Sequence, residues 1–373
     1  MIQFDIVITS IFHNKIFKNY YENFKKYNKL DLVRFIFVAD LKTPKECFLE
    51  YQKFKKKGLN IIYLTIDDQI EFLKKINCKS FFPYNSDNRR NIGYLFSYSL
   101  NDSKYLISID DDNFSRLDHD FIGRHSIVGK EIVYNVISSK NHWFNNCDTL
   151  KFNEKLTIFP RGFPLEERKD KFNYKISKKR KLKIGVNAGM WLNAPDIDAM
   201  TWLNLSPEAI NIKKNKYVLA QNTWCPINSQ NTCIIKEAIP TYFFLKMNYS
   251  INNQIIDRFG DIFSGYFLQI CLKHMNYNIA YGVPLVDHNR NSHNYLKDAE
   301  REWNCLLICN KLLKDLIHFK LEGNNFFDLY ESLISNISLS LDSKKYLEYE
   351  KKFLISSLKD MKYWLNLCKK INA

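Results

Sequence analysis

Ser108-Ile109-Asp110-Asp111-Asp112-Asn113 sets three adjacent carboxylates directly behind the apolar run Tyr105–Ile109. Neighbouring carboxylates repel one another, so a fold tolerates them best where a cation shares their charge. At the carboxyl end of a buried strand, oxygen ligands suit Mg2+ or Mn2+ held jointly with substrate phosphates. An acidic turn made of ordinary turn formers is the alternative. Just upstream, Asn85-Ser-Asp-Asn-Arg89-Arg90-Asn91-Ile-Gly93-Tyr94 opens a helical run. A helix N-terminus furnished with guanidinium groups holds phosphate well, which makes Arg89, Arg90 and Asn91 candidate nucleotide contacts. Against that stands a capped surface helix with two solvated arginines.

The elements that must position these residues alternate between strand and helix. Phe4–Ser10, Leu32–Ala39, Asn60–Thr65 and Tyr105–Ile109 read as strands, and Lys15–Lys26, Pro44–Lys57, Asp67–Ile76 and Asn91–Leu100 as helices. Strands joined by helical crossovers predict a parallel sheet covered on both faces, with ligands gathered outside the carboxyl ends of the strands. The stretch 129–240 holds most of the Pro and Trp residues and reads as substrate-facing loops, with Lys178–Lys183 as a solvated turn. From Cys305 onward the chain reads as helices only. There Leu347, Leu354, Leu358, Met361, Leu365 and Cys368 form a stripe at helical spacing, either packed on its own domain or docking a second subunit.

Composition narrows the class. Hydrophobic residues make up 46% of the 373, so disorder is excluded. A net charge of +15 suits an anionic partner, although a general Lys and Asn bias contributes to it. No nucleic-acid module motif occurs, and a binder has no need of Asp110–Asp112. Nine cysteines, an odd number without C-x-x-C, indicate neither a disulfide framework nor a zinc site and fit a cytoplasmic compartment. Met1–Ser10 reads as a strand rather than a signal segment, and no run is long enough to span a membrane.

Several long motifs carry a resemblance. Val38-Ala-Asp40-Leu-Lys42-Thr-Pro44, Asp68-Gln69, Pro83-Tyr84-Asn-Ser, Arg89–Tyr94, Asp110–Asn113, Phe159–Leu165 and Cys225–Thr232 are similar, in order, to the STELLO-like glycosyltransferases. Gly189-Met-Trp191-Leu-Asn193-Ala-Pro195-Asp196-Ile-Asp198-Ala-Met-Thr201 resembles a Trp-Leu-Asn-x-Pro-Asp-x-Asp-Ala-x-Thr block of the reversibly glycosylated polypeptides, which are UDP-arabinopyranose mutases. Pro160–Pro164 resembles their Arg-Gly-Tyr-Pro motif, and Asp287-His288-Asn-Arg290-Asn-Ser292 their Tyr-His-Ser-Lys-Ala-Ser. The matches run from about residue 5 to residue 303.

The resemblance implies an α/β, GT-A-type fold: a Rossmann-like, mostly parallel sheet flanked by helices, with a C-terminal helical extension. Residues 1–304 would form the nucleotide-sugar-binding catalytic domain and 305–373 the helical region, through which homo-oligomers could assemble. It implies a divalent cation, Mn2+ or Mg2+, on Asp110 and Asp112, and a UDP-sugar met by Asp40, Arg89, Arg90, Asn91, Asp111 and His288. In the mutases the arginine of Arg-Gly-Tyr-Pro becomes reversibly glycosylated, and the matching residue is Arg161. A guanidinium is a poor nucleophile, so it would need a nearby carboxylate such as Asp196 or Asp198 and a stabilised leaving group. The alternative for Arg161 is a salt bridge to the diphosphate. Asp261, in Arg258-Phe-Gly-Asp261, reads as a general base or as the cap of the helix Ile262–Leu272, or both. His288, behind the strand-like Tyr281–Val286, reads as a metal or diphosphate contact or as a structural histidine. The stretch Leu165-Glu-Glu-Arg-Lys departs from the family pattern on the acceptor side. The function implied is pyranose–furanose interconversion of a UDP-sugar, the alternative being transfer of the sugar to a surface-polysaccharide or lipid-linked acceptor.

Overall fold

The computed structural model describes residues 1–13, 15–153, 155–169 and 172–372. Its first third follows the expected alternation: β1 (Phe4–Ser10), α1 (Ile16–Lys26), β2 (Val33–Ala39), α2 (Lys45–Lys56), β3 (Ile61–Leu64), α3 (Ile66–Lys75), α4 (Arg90–Leu100) and β4 (Tyr105–Ile109). Local chemistry fixes the boundaries. Thr65 and Asp68 close a capping box on α3, and Pro44, which cannot donate an N–H, stands just before α2. β2 is buried along its whole length because α/β crossovers cover both faces. That includes Arg34, whose charge is met by Asp5 and Asp102, each at 2.7 Å.

Strands β3, β2, β1 and β4 lie side by side and parallel. Beyond β4 the sheet becomes mixed. Asn231–Ile235 pairs antiparallel with β4 and with the long strand Arg180–Asn193, which runs parallel to Asn278–His288. A short strand β5 (Asn113–Ser115) pairs with the end of Asn278–His288. This pairing folds Asp110–Asp112 and His288 toward the same edge. A Rossmann-like parallel half continued by a mixed half is the layout expected of the GT-A type.

Two expectations need correction. Lys178–Lys183 is not a turn, since Arg180–Lys183 pairs with β6 (Glu131–Tyr134) as the start of the long strand. The tryptophans at 143, 191 and 224 are core residues rather than a substrate-facing surface. The sheet buries one side of this region, and large rings fill that space. The stripe in the tail takes the first of its two expected roles, packing on its own domain: Leu354, Leu358, Met361, Leu365 and Cys368 are buried, whereas Leu347 is exposed. They sit on α10 (Glu348–Asn372), which packs against α4, with Trp364 donating to the carbonyl of Pro240 at 3.0 Å. The stripe is therefore spent within the chain.

The other helices are α5 (Phe121–His125), α6 (Ala199–Asn204), α7 (Gly260–His274), α8 (Tyr295–Leu316) and α9 (Phe326–Ser340). Helix α8 begins at Tyr295, capped by Asn294, and runs uninterrupted through residue 305. One contiguous core joins Ile6 of β1 to Trp364 of the tail. Helix α4 lies close on the sheet, where a Cβ at Gly93 would come within 2.5 Å of Val7 and 2.9 Å of Val38. All nine cysteines are buried and free. Among the described residues no helix is long and apolar enough to cross a membrane.

Candidate active site

A cavity of about 380 Å³ opens at the carboxyl ends of β1, β2 and β4. Asp110, Asp111 and Asp112 line it, with Arg90, Arg161, Asp196, Asp261 and His288. β4 delivers the carboxylates and α4 delivers Arg90. The Arg90 guanidinium meets Asp110 at 2.5 Å and is steadied by Ser108 and Ser229. Burial pushes Asp110 above the ordinary carboxylate range against the pull of Arg90, and the charge of Asp112 adds to the push. Burial also raises Asp111, to about 7, although its carboxylate accepts from Ser10. Asp112 goes the other way. Burial would raise it, but His288 Nε2 stands 3.4 Å from Oδ2 and holds it below the usual range.

His288 donates Nδ1–H to the carbonyl of Ala194 at 2.7 Å. Burial works to lower the His288 pKa, but Asp112 draws a proton onto Nε2 and raises it, so a cation at Asp112 would have to take that proton's place. Among the described residues no three His, Cys, Asp or Glu close around an ion. Asp110, Asp112 and His288 therefore form an open edge. Its oxygen donors are of the type that hard divalent cations take.

Arg161 occupies the opposite wall and is 9% exposed. Its Nε and NH2 donate to Asp196 at 3.0 and 3.3 Å, and its NH1 and NH2 donate to Asp261 at 3.0 and 2.8 Å. NH1 also donates to the carbonyl of Arg258. All five N–H groups are thus committed. Burial works to lower the Arg161 pKa, but Asp196 and Asp261 overcome it and hold the guanidinium well above its ordinary range. In return, Arg161 holds Asp196 below the carboxylate range against the opposing effect of burial. Asp261 lies inside the first turn of α7, whose N-cap is Phe259 without a side-chain bond. Asp261 is therefore no cap, and its oxygens face Arg161.

Three expected contacts sit differently, and a fourth is where it was expected. Asp198 points away from Arg161: it caps α6 through Thr201 and pairs with Arg168 at 2.6 Å. Asn91 has both amide ends on the backbone of Phe244, at 2.8 and 2.9 Å, and so acts as a staple. Arg89 is buried against Gln69 and lies over the Tyr84 ring at 4.3 Å, off the cavity. Asp40 does reach the cavity, with its carboxylate accepting from the amides of Leu41 and Ser86 at 2.7 and 3.2 Å.

Two arginines that the sequence reading passed over do line the cavity. Arg258 opens the motif that contains Asp261 and pairs with Glu302 at 2.9 Å and Asp298 at 3.2 Å. Arg290 donates no hydrogen bond to any described residue, and its nearest carboxylate oxygen, on Asp298, is 3.9 Å away. Its guanidinium lies 5.1 Å from both the Trp202 and Tyr295 rings, which stack on each other. Burial lowers its pKa. It is the cavity arginine most available to an incoming anion. Its place two residues after His288, in an already recognised motif, was the signal for it.

Among curated proteins the chain is similar to UDP-arabinopyranose mutase 3 of Arabidopsis thaliana, 27% identical over 56% of this chain and 53% of that one. It is similar to UDP-arabinopyranose mutase 2 of the same plant, 23% identical over 69% and 72%, and to a probable UDP-arabinopyranose mutase 1 of Pisum sativum, 27% identical over 54% and 51%. The chain spans about half the length of the first of these relatives. Among solved structures it is similar to S. aureus TarS 1-349 in complex with UDP-GlcNAc, at 10% identity and TM-score 0.37 over 96% and 72%. It is also similar to glucosyl-3-phosphoglycerate synthase from Mycobacterium tuberculosis with Mn2+ and UDP-glucose, at 8% identity and TM-score 0.38 over 83% and 78%. The model of the reversibly glycosylated polypeptides matches residues 2–373. With the Arg161 and Asp110–Asp112 motifs lining one cavity, the chain belongs to the reversibly glycosylated polypeptide family.

Proposed function

We propose that this chain is a UDP-sugar mutase that interconverts the pyranose and furanose forms of a UDP-pentose such as UDP-arabinose. The observation that carries the reading is the state of Arg161. An arginine kept only to neutralise a diphosphate would present open N–H groups and unspent charge. Arg161 instead faces two carboxylates and has every N–H engaged. Those carboxylates keep it charged in the free protein and are the groups placed to take its proton when nitrogen bonds to C1.

In this mechanism Arg290 and Arg90 face the diphosphate. A divalent cation held by Asp110 and Asp112, beside His288, would supply positive charge to the leaving UDP. A guanidinium nitrogen of Arg161 attacks C1 as the bond from C1 to the diphosphate oxygen breaks, and UDP leaves with the electron pair. The proton of the attacking nitrogen passes to Asp261 or Asp196. The ring then opens at C1 and recloses through a different hydroxyl. Attack of UDP on C1 restores the nucleotide sugar and frees Arg161, which recovers its proton. Supporting this reading are the mutase names of the plant relatives, which supply the substrate class.

The test is incubation of the purified chain with UDP-pentoses and UDP-hexoses without acceptor. A new UDP-sugar isomer is the expected product. Slow release of UDP alone, without isomer, would replace the mutase with a transferase to a polysaccharide or lipid-linked acceptor.

A further inference from the structure

Helix α8 carries Asp298 and Glu302 one turn apart on a single face, and both side chains are buried. Glu302 is the deeper, and each of its oxygens has its own donor. Oε2 accepts from the amide of Ala199 at 2.7 Å, and Oε1 accepts from Nε of Arg258 at 2.9 Å. These donors sit at the roots of the two arms that grip Arg161. Ala199 lies three residues beyond Asp196, in a segment already joined to Arg161 by the bond from its amide to the Asp196 carbonyl at 3.0 Å. Arg258 lies three residues before Asp261 and turns its own carbonyl onto Arg161.

The backbone of Arg258 has φ +68°, a left-handed conformation that a non-glycine residue keeps only where its surroundings enforce it. Its backbone N–H is held by Asp257 and its carbonyl by Arg161, while Glu302 and Asp298 hold its guanidinium. Glu302 makes no hydrogen bond to Arg161 and meets that guanidinium only through its charge.

We propose that Glu302 is a positioning residue: by bridging Ala199 and Arg258 it sets the spacing of Asp196 and Asp261, and hence the aim of the Arg161 guanidinium. This rests on the reading of Arg161 as the group that reacts with the sugar. It makes helix α8, which runs on into the helical tail, part of the reaction centre. A carboxylate is needed because two donors must be met at once. Glutamine offers one oxygen and turns an N–H toward the other donor.

The experiment compares Glu302→Gln, Glu302→Asp and, as a control on the same helix, Lys311→Met. The control removes the ion pair from α8 to Glu350 without touching either arm. The readouts are kcat with UDP-arabinopyranose, UDP affinity, melting temperature, and hydrogen exchange at the Arg161 Nε–H, assigned by its disappearance in Arg161→Lys. Glu302→Gln is expected to lower kcat by about tenfold or more, as small misplacements of a reacting group do. UDP affinity should stay within about twofold, because the nucleotide contacts lie elsewhere, and Arg161 exchange should accelerate. Glu302→Asp retains charge but reaches only one donor, so it should fall between. Lys311→Met should lower the melting temperature while leaving kcat and Arg161 exchange unchanged. Unaltered exchange and kcat in Glu302→Gln, or equal losses in Lys311→Met, would overturn the proposal. If the wild-type chain isomerises no sugar, the mutase reading fails while the exchange measurement still decides whether Glu302 aims Arg161. Should Glu302→Gln not fold, Glu302→Asp carries the same comparison.

Discussion

Arg161 and Asp261 meet fork to fork, NH1 to Oδ1 at 3.0 Å and NH2 to Oδ2 at 2.8 Å, with both side chains almost wholly buried. Parallel bonds of this kind fix the plane of the guanidinium as well as its position. Asp261 lies in the first turn of α7, so the start of that helix carries one of the two carboxylates facing Arg161.

Arg161→Lys keeps a positive charge but cannot span both carboxylates. Glycosyl labelling of the Arg161 peptide by a radiolabelled UDP-sugar, present in the wild type and discharged by excess UDP, should vanish together with isomerisation. UDP binding should largely survive. Isomerisation that persists in the lysine variant would remove Arg161 from the role of nucleophile. Arg161→Ala should cost about 3–5 kcal/mol of stability in denaturant unfolding, because two buried carboxylates lose their partner.

Arg290→Ala should weaken UDP binding by about 1.5–3 kcal/mol, the value of a charge-assisted contact. Arg89→Ala should leave UDP affinity nearly unchanged and lower stability instead, since its partners are Gln69, Asp40 and Tyr84. Titration calorimetry on the two variants separates the roles. The reverse ranking would return the phosphate contact to the start of α4.

Asp112→Ala should abolish binding of Mn2+ in the presence of UDP, read by water-proton relaxation, and turnover should stop in excess chelator. Full turnover with the chelator would refute a cation on Asp110 and Asp112. Asp118→Ala makes a fair comparison, because that carboxylate pairs with Arg116 and His119 outside the cavity. It should leave Mn2+ binding intact.

His125 provides a pH prediction. Burial pushes its pKa from 6.5 to about 3, and the bond to Asn231 only partly offsets this. Between those values the unfolded chain takes up a proton that the folded chain refuses. Stability should therefore fall as pH drops below 6.5, with a slope approaching about 1.4 kcal/mol per pH unit, and this contribution should level off near pH 3. Urea unfolding at several pH values checks it. His125→Gln, whatever its absolute stability, should lose that part of the slope.

The parallel half of the sheet was legible because its signals are local. Buried strands read as continuous apolar runs, and helices announce themselves through caps and periodicity. Lys178–Lys183 misled because charge suggests a turn, whereas Arg180–Lys183 extends a long strand and is half-covered by β6. At the site, residue type and strand context marked Asp110 and Asp112, and the family resemblance marked Arg161, Asp196, Asp261 and His288; all six line the cavity. They could not say which of two adjacent arginines turns inward. Arg89 and Arg90 differ by one helical step, about 100°, and only tertiary packing assigns Arg90 to Asp110 and Arg89 to Tyr84. Arg258 and Glu302 escaped notice because their partnership spans 44 residues and two elements that sequence reading had placed in the same region without a reason to meet.

Gly93 does its work by what it lacks. It stands three residues beyond Arg90, with Val7 and Val38 where a methyl group would otherwise go. An alanine there would have to lift the start of α4 from the sheet, and that helix start is the lever arm of Arg90. The floor of the cavity is thus calibrated by the thickness of a helix–sheet contact that no substrate ever touches. Variation in nucleotide affinity among related chains can therefore arise from a position that a comparison of cavity-lining side chains would leave out.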